Sequence, residues 1–216
     1  LKMYFPEQFG ERQFLDYPLG HFFLAVANMW DAEKNEMVIA DAADIKECLE
    51  AGILREDYLG QLSAVWGQLA GLFEGCTTPD EMIRRLQRLR KRKKYLSDPA
   101  QQEYVRHISY YTVSRDAIDQ MERALTELKE LAAYFYEDFE QQPHNFRAFY
   151  QRLKAYLQQD VLDEQGLGEE FADIIRRVLE RLEEVEHIDE SASFACLKAA
   201  MSIYLVQETK PGKSAH

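Results

Sequence analysis

Ser114–Phe135 (SRDAIDQMERALTELKELAAYF) carries apolar residues at Ile118, Met121, Leu125, Leu128, Ala132 and Phe135. Steps of three and four residues put them on one side of an α-helix, and so regular a stripe packs lengthwise against another helix at a shallow angle. Ser114 stands where a hydroxyl caps the first turn. C-terminal to this helix, Pro143 and Asn145 break the pattern and Phe146–Leu157 resumes it. The loop Asp160–Gly168 (DVLDEQGLG) then leads into a long helix with Phe171, Ile174, Val178, Leu182 and Val185 on its core face. A weakly charged helix from Ser191 to about Val206 is expected to be buried, and Gln207–His216 to be a frayed tail.

On the N-terminal side, Thr78 and Glu81 form a capping box with Pro79 at the first helical position, opening a helix to about Leu96. Ser97 or Asp98 followed by Pro99 starts another helix that ends near Tyr111. The first third is less regular. Asp16 caps a helix with Pro18 in its first turn, running through Phe22, Phe23, Val26 and Met29, and Met37–Ala40 (MVIA) reads as one short strand. Asp41 caps Ala42–Ala51, which Gly52 stops. A third helix is expected from about Glu56 to Phe73, with Tyr58, Leu59, Leu62, Val65, Trp66, Leu69 and Leu72 on one face and Gly75 as its C-cap. The fold class is all-α: a helical bundle at 76–206, a smaller N-terminal helical subdomain at 1–75 and a tail at 207–216.

Composition supports a packed core. The chain has 216 residues, 46% hydrophobic and 12% aromatic, far from the disordered class and long enough to bury most of its unfolded surface. Cys48, Cys76 and Cys196 are odd in number and widely spaced, which argues against a disulfide framework or zinc ribbon and for a reducing compartment. The longest apolar stretch, His21–Trp30 (HFFLAVANMW), is about half of what spans a bilayer, and no cleavable signal pattern precedes it. The expectation is a soluble, cytoplasmic protein with no membrane partner. Because the chain begins with Leu1 rather than Met, a fragment or processed product stays open.

The strongest functional signal is a charge run. Arg84, Arg85, Arg88, Arg90, Lys91, Arg92, Lys93 and Lys94 (within RRLQRLRKRKK) are basic in a chain of net charge -12, which leaves -20 on the rest. Like charges one turn apart destabilise a helix by a few tenths of a kcal/mol each, roughly, so opposing acid is expected nearby. Nucleic acid would meet the run through phosphates, but no aromatic residue interrupts it and the sequence pI is near 4.9. Docking against acidic helices is the leading expectation, whether of a partner or of this chain, where Glu127–Glu140 and Glu169–Glu190 supply the charge.

Other motifs point to structure. Glu184 and His187 have the ExxH spacing of di-iron bundles, but the second pair is missing, since Glu103 and His107 stand four apart. Asp31, Glu33 and Asn35 imitate an EF-hand loop, but Glu36 occupies its Gly position and Ala42 its bidentate Glu position. No metal or other cofactor is expected. There is no GxSxG and no phosphate loop, and Gly166-Leu167-Gly168 reads as an inter-helix turn. The aromatic band Tyr134, Phe135, Tyr136, Phe139, Phe146, Phe149, Tyr150 and Tyr156 reads as core packing at a helix corner, because Glu137, Asp138 and Glu140 interrupt it.

Two stretches carry a family resemblance. Val113-Ser114-Arg115-Asp116 leading into Leu125, Leu128 and Leu131 is similar to an "S-P-x-D-L" approach to a leucine-rich helix. Ile188-Asp189-Glu190-Ser191-Ala192-Ser193-Phe194-Ala195 is similar to an "LD…SLA" turn. Over residues 77–206 the chain thus resembles the helical core and lever region of MutS mismatch-repair ATPases, whose Walker A motif it lacks. The resemblance implies mechanical coupling between DNA binding and nucleotide state, in a fragment without its ATPase domain. From the residues themselves the expected function is a non-catalytic interaction or scaffold module. Its basic helix at 84–94 is the recognition surface, an acidic protein surface the leading partner and nucleic acid the second.

Overall fold

In the computed structural model, residues 18–57, 60–95, 108–163, 173, 176, 191 and 193–198 are described. The chain is predominantly helical, its one sheet among these residues a two-stranded hairpin. Helix α1 (Pro18–Asn28) buries Phe22, Phe23, Ala25, Val26 and Ala27, so it is covered nearly all round. It packs on α2 (Ala43–Glu50), whose Ile45, Cys48 and Leu49 face inward. The Asp41 carboxylate accepts from the Ala43 amide at 2.9 Å, and Gly52 at φ 66° ends the helix. Between them lie β1 (Trp30–Asp31) and β2 (Glu36–Met37), antiparallel with Trp30 opposite Met37. The strand expected at Met37–Ala40 therefore shares only Met37 with β2, and the EF-hand imitation is the turn of this hairpin. The Asp31 carboxylate accepts the Glu33 and Lys34 amides, each at 3.0 Å.

The helix expected over Glu56–Phe73 is broken. Two 3₁₀ turns, Arg55–Asp57 and Gln61–Val65, precede a short α3 (Trp66–Leu69), while Tyr58 and Leu59 lie outside the described residues. The cause is local. The buried Asp57 carboxylate takes the Leu62 amide at 3.1 Å, competing with the helical ladder, and Gly60 sits at φ 66°. A Cβ on Gly60 would meet the Leu49 carbonyl oxygen at 3.1 Å, so the turn is fixed by close approach as well as by φ.

Helix α4 (Pro79–Tyr95) starts at the capping box: Thr78 Oγ1 accepts from the Glu81 amide at 3.3 Å, and the Glu81 carboxylate accepts from the Thr77 amide at 2.9 Å. A 3₁₀ turn, Ser109–Thr112, leads to α5 (Arg115–Tyr136), which Ser114 caps through the Ala117 amide at 3.1 Å. This is the element the stripe predicts. Ile118, Met121, Ala124, Leu125, Leu128, Ala132, Phe135 and Tyr136 are all buried on it. It packs against α1, α4, the 3₁₀ turns, β2 and α6 (Asn145–Ala155).

The corner between α5 and α6 is left-handed at Asp138 and His144, and α6 runs on into a π-helical stretch, Tyr156–Asp163, where the sequence predicts a loop from Asp160. The aromatic band is core here, with Tyr136 stacked on Phe149 at 5.8 Å and Phe135 edge-on to Tyr156 at 5.5 Å. Tyr134 is the exception, 43% exposed. The buried apolar side chains from both halves of the chain join in one cluster. No helix is long and apolar enough to cross a membrane among the described residues. Of the long helix expected through Phe171–Val185 only Asp173 and Arg176 are described, both helical and paired at 2.8 Å, and most of the helix from Ser191 and the tail lie outside the described residues.

Candidate functional site

The basic run occupies the later turns of α4, after Asp80 and Glu81 in the first turn, the order that the helix dipole favours. At 3.6 residues per turn the eight cations spread round the helix and take different work. Met82, Leu86 and Leu89 face the core, and three cations beside that face are spent internally. Arg85 donates to the carbonyls of Leu72, at 2.9 Å, and Glu74. Lys93 donates to the carbonyls of Tyr111, at 2.9 Å, and Val113; burial pushes its ammonium down, with Arg115 adding to the effect. Arg90 donates to Asp119 at 2.8 Å and Glu122 at 3.3 Å, and these bonds hold its charge.

Arg90 belongs to a ladder. Gln87 donates to Glu122 at 2.8 Å and Lys129 to Asp80 at 2.9 Å, so each step back along α4 meets an equal step forward along α5. The two helices are antiparallel neighbours, and the acids that answer the run are Asp119 and Glu122, one to two turns before the Glu127–Glu140 segment that the sequence favours. Glu169–Glu190 lies almost wholly outside the described residues.

Arg84, Arg88, Lys91 and Arg92 remain. All four are exposed, fall within about 100° of helical arc, and make no hydrogen bond or ion pair with a described residue. Lys94 is in α4, its side chain outside the description.

Two clefts flank the helix. On the Arg90 side a cleft of about 960 Å³ mixes Arg55, Arg90 and Arg123 with acids of α5. Its charges are largely paired: Arg123 with Glu56 at 3.0 Å, and the Glu127 carboxylate with the Arg55 and Glu56 amides at 2.7 and 3.0 Å. Burial holds the Glu127 carboxyl above its ordinary range in spite of those amides. On the other side Arg85, Arg88 and Arg92 line a cleft of about 260 Å³ with Tyr110, Tyr111, Gly71 and Leu72. None of these lining residues is acidic, so the formal charge that lines this cleft is wholly positive. Sequence reasoning misses Tyr110 and Tyr111, which lie 18 residues or more beyond Arg92 and carry no motif.

Nothing among the described residues groups three or more His, Cys, Asp or Glu for a metal. Glu184 with His187, and Glu103 with His107, lie outside them. Burial pushes the Cys48 and Cys76 thiols up, which keeps both in the poorly nucleophilic neutral form. Comparison with known proteins gives no match to a family model, a curated protein or a solved structure.

Proposed function

We propose that the chain is a non-catalytic helical interaction module that docks an acidic protein segment on Arg84, Arg88, Lys91 and Arg92. The supporting observation is the division of labour on α4, where the cations turned toward the rest of the molecule are hydrogen-bonded to it and those turned to solvent have no partner among the described residues. Lys and Arg in solvent need no partner, but four on one arc of a chain at -12 concentrate positive potential where an acidic ligand is attracted. From residue 84 to 92 the arc is only about 12 Å long. A nucleic-acid duplex, with a charge every ~1.7 Å of axis, runs past it onto an acidic body. A short acidic segment does not.

A second reading, a nucleic-acid-associated helical domain with the MutS-like core as its named version, draws on Tyr110 and Tyr111 beside the arginines. One titration separates the two. Fluorescent poly-glutamate should bind the full chain at low salt and weaken as salt rises. The variant with Arg84, Arg88, Lys91 and Arg92 all changed to Gln should lose that binding at an unchanged melting temperature, since exposed charges contribute only ~0–1 kcal/mol each. Tighter binding of a thymidine 20-mer than of poly-glutamate favours the second reading, and no binding of either overturns both.

A further inference from the structure

The smaller cleft beside α4 is built by the helix's own cations. Arg85 fastens one wall by gripping the carbonyls of Leu72 and Glu74, and Lys93 fastens the other by gripping those of Tyr111 and Val113. Between the two walls, Arg88 and Arg92 stand one turn apart on the same helix, facing the cleft with no partner among the described residues. Tyr110 and Tyr111 close the wall with rings 5.2 Å apart, and their hydroxyls make no hydrogen bond to a described residue. A Cβ on Gly71 would just touch the Tyr110 ring, at 4.0 Å, so the opposite wall comes close to the ring there.

We infer that this cleft receives the phosphate of a phosphorylated side chain on the docked acidic segment. The inference rests on the docking proposed above and names the chemistry that it recognises. Guanidinium forks bind tetrahedral phosphate through paired charge-assisted hydrogen bonds, and two forks one turn apart can grip a dianion together. The tyrosine rings and Leu89 give the carbon stem an apolar wall, and the phenol groups supply further donors. Size selects the ligand. At about 260 Å³ the cleft lies below the roughly 300–1,000 Å³ that engulfs a whole small molecule, so it fits one anionic group on its stem and not a nucleotide. Arg84 and Lys91 lie outside it and take the flanking carboxylates.

The test uses the full chain and two fluorescent peptides of one acidic sequence, rich in Asp and Glu, with a central serine phosphorylated or plain. The phosphorylated peptide should bind at least about tenfold more tightly. The charge-conserving pair Arg88→Lys with Arg92→Lys should erase that preference, read as the ratio of phosphorylated to plain affinity, because Lys keeps the charge and loses the fork. Tyr110→Phe should shrink the preference without abolishing it. Inorganic phosphate should compete for the preference alone. If the plain peptide binds and phosphorylation adds less than about threefold, the cleft inference fails and the docking reading stands. If only the phosphopeptide binds, the cleft stands and the docking reading fails. If adenosine monophosphate binds as tightly as the phosphopeptide, or the Lys pair keeps the full preference, the assignment to a phosphorylated side chain is overturned.

Discussion

Tyr136 shows how one side chain carries both the best and the worst of its surroundings. Its ring is wholly buried against Phe149, Phe135, Phe194 and Trp30, yet its hydroxyl has no hydrogen-bond partner among the described residues. A buried hydroxyl without a partner costs about 1–3 kcal/mol, and burial pushes its ionisation far up, so it contributes no charge at any ordinary pH. Tyr136→Phe should therefore stabilise the protein by about 1 kcal/mol or more, read as a shift of the urea midpoint at constant slope. A loss of stability would mean that the hydroxyl is bonded after all. The aromatic band was legible as core because acids interrupt it, but nothing local marks which of its members lacks a partner. That depends on neighbours such as Trp30 and Phe194, from opposite ends of the chain.

At the scale of elements, α5 was legible and α4 only half so. Period and cap are local properties, and Ser114 with the stripe from Ile118 to Phe135 sufficed to draw α5. Leu125 and Leu128 are essentially inaccessible, and Leu125→Ala or Leu128→Ala should each cost roughly 2–5 kcal/mol in equilibrium unfolding, with less than about 0.5 at both sites showing a stripe that faces solvent. The basic helix was equally plain as a helix. Which of its cations turn inward is set by the register against α5, which brings Asp119 to Arg90 across a connection that no motif describes. Over Glu56–Phe73 the apolar spacing of one helix is overridden by Asp57 and Gly60. A carboxylate that captures an amide and a residue at positive φ both outrank periodicity.

At the scale of the molecule the all-α reading holds, and the apolar cluster runs through both halves of the chain because α5 is packed from each side. The candidate site was half legible: the sequence points to α4 as the charged helix, while the tyrosines beside it enter only through the fold. The arc of Arg84, Arg88, Lys91 and Arg92 gives an acidic body one positive face, and so a permanent dipole moment. A negatively charged partner then meets a molecule that is already turned toward it. The arc should thus be felt first in the encounter rate. Oriented attraction raises association from about 10⁵–10⁶ M⁻¹s⁻¹ toward 10⁸, and salt takes the gain away. In stopped-flow mixing, Arg84→Gln with Lys91→Gln should slow association and flatten its dependence on ionic strength, while leaving the dissociation rate nearly as it was.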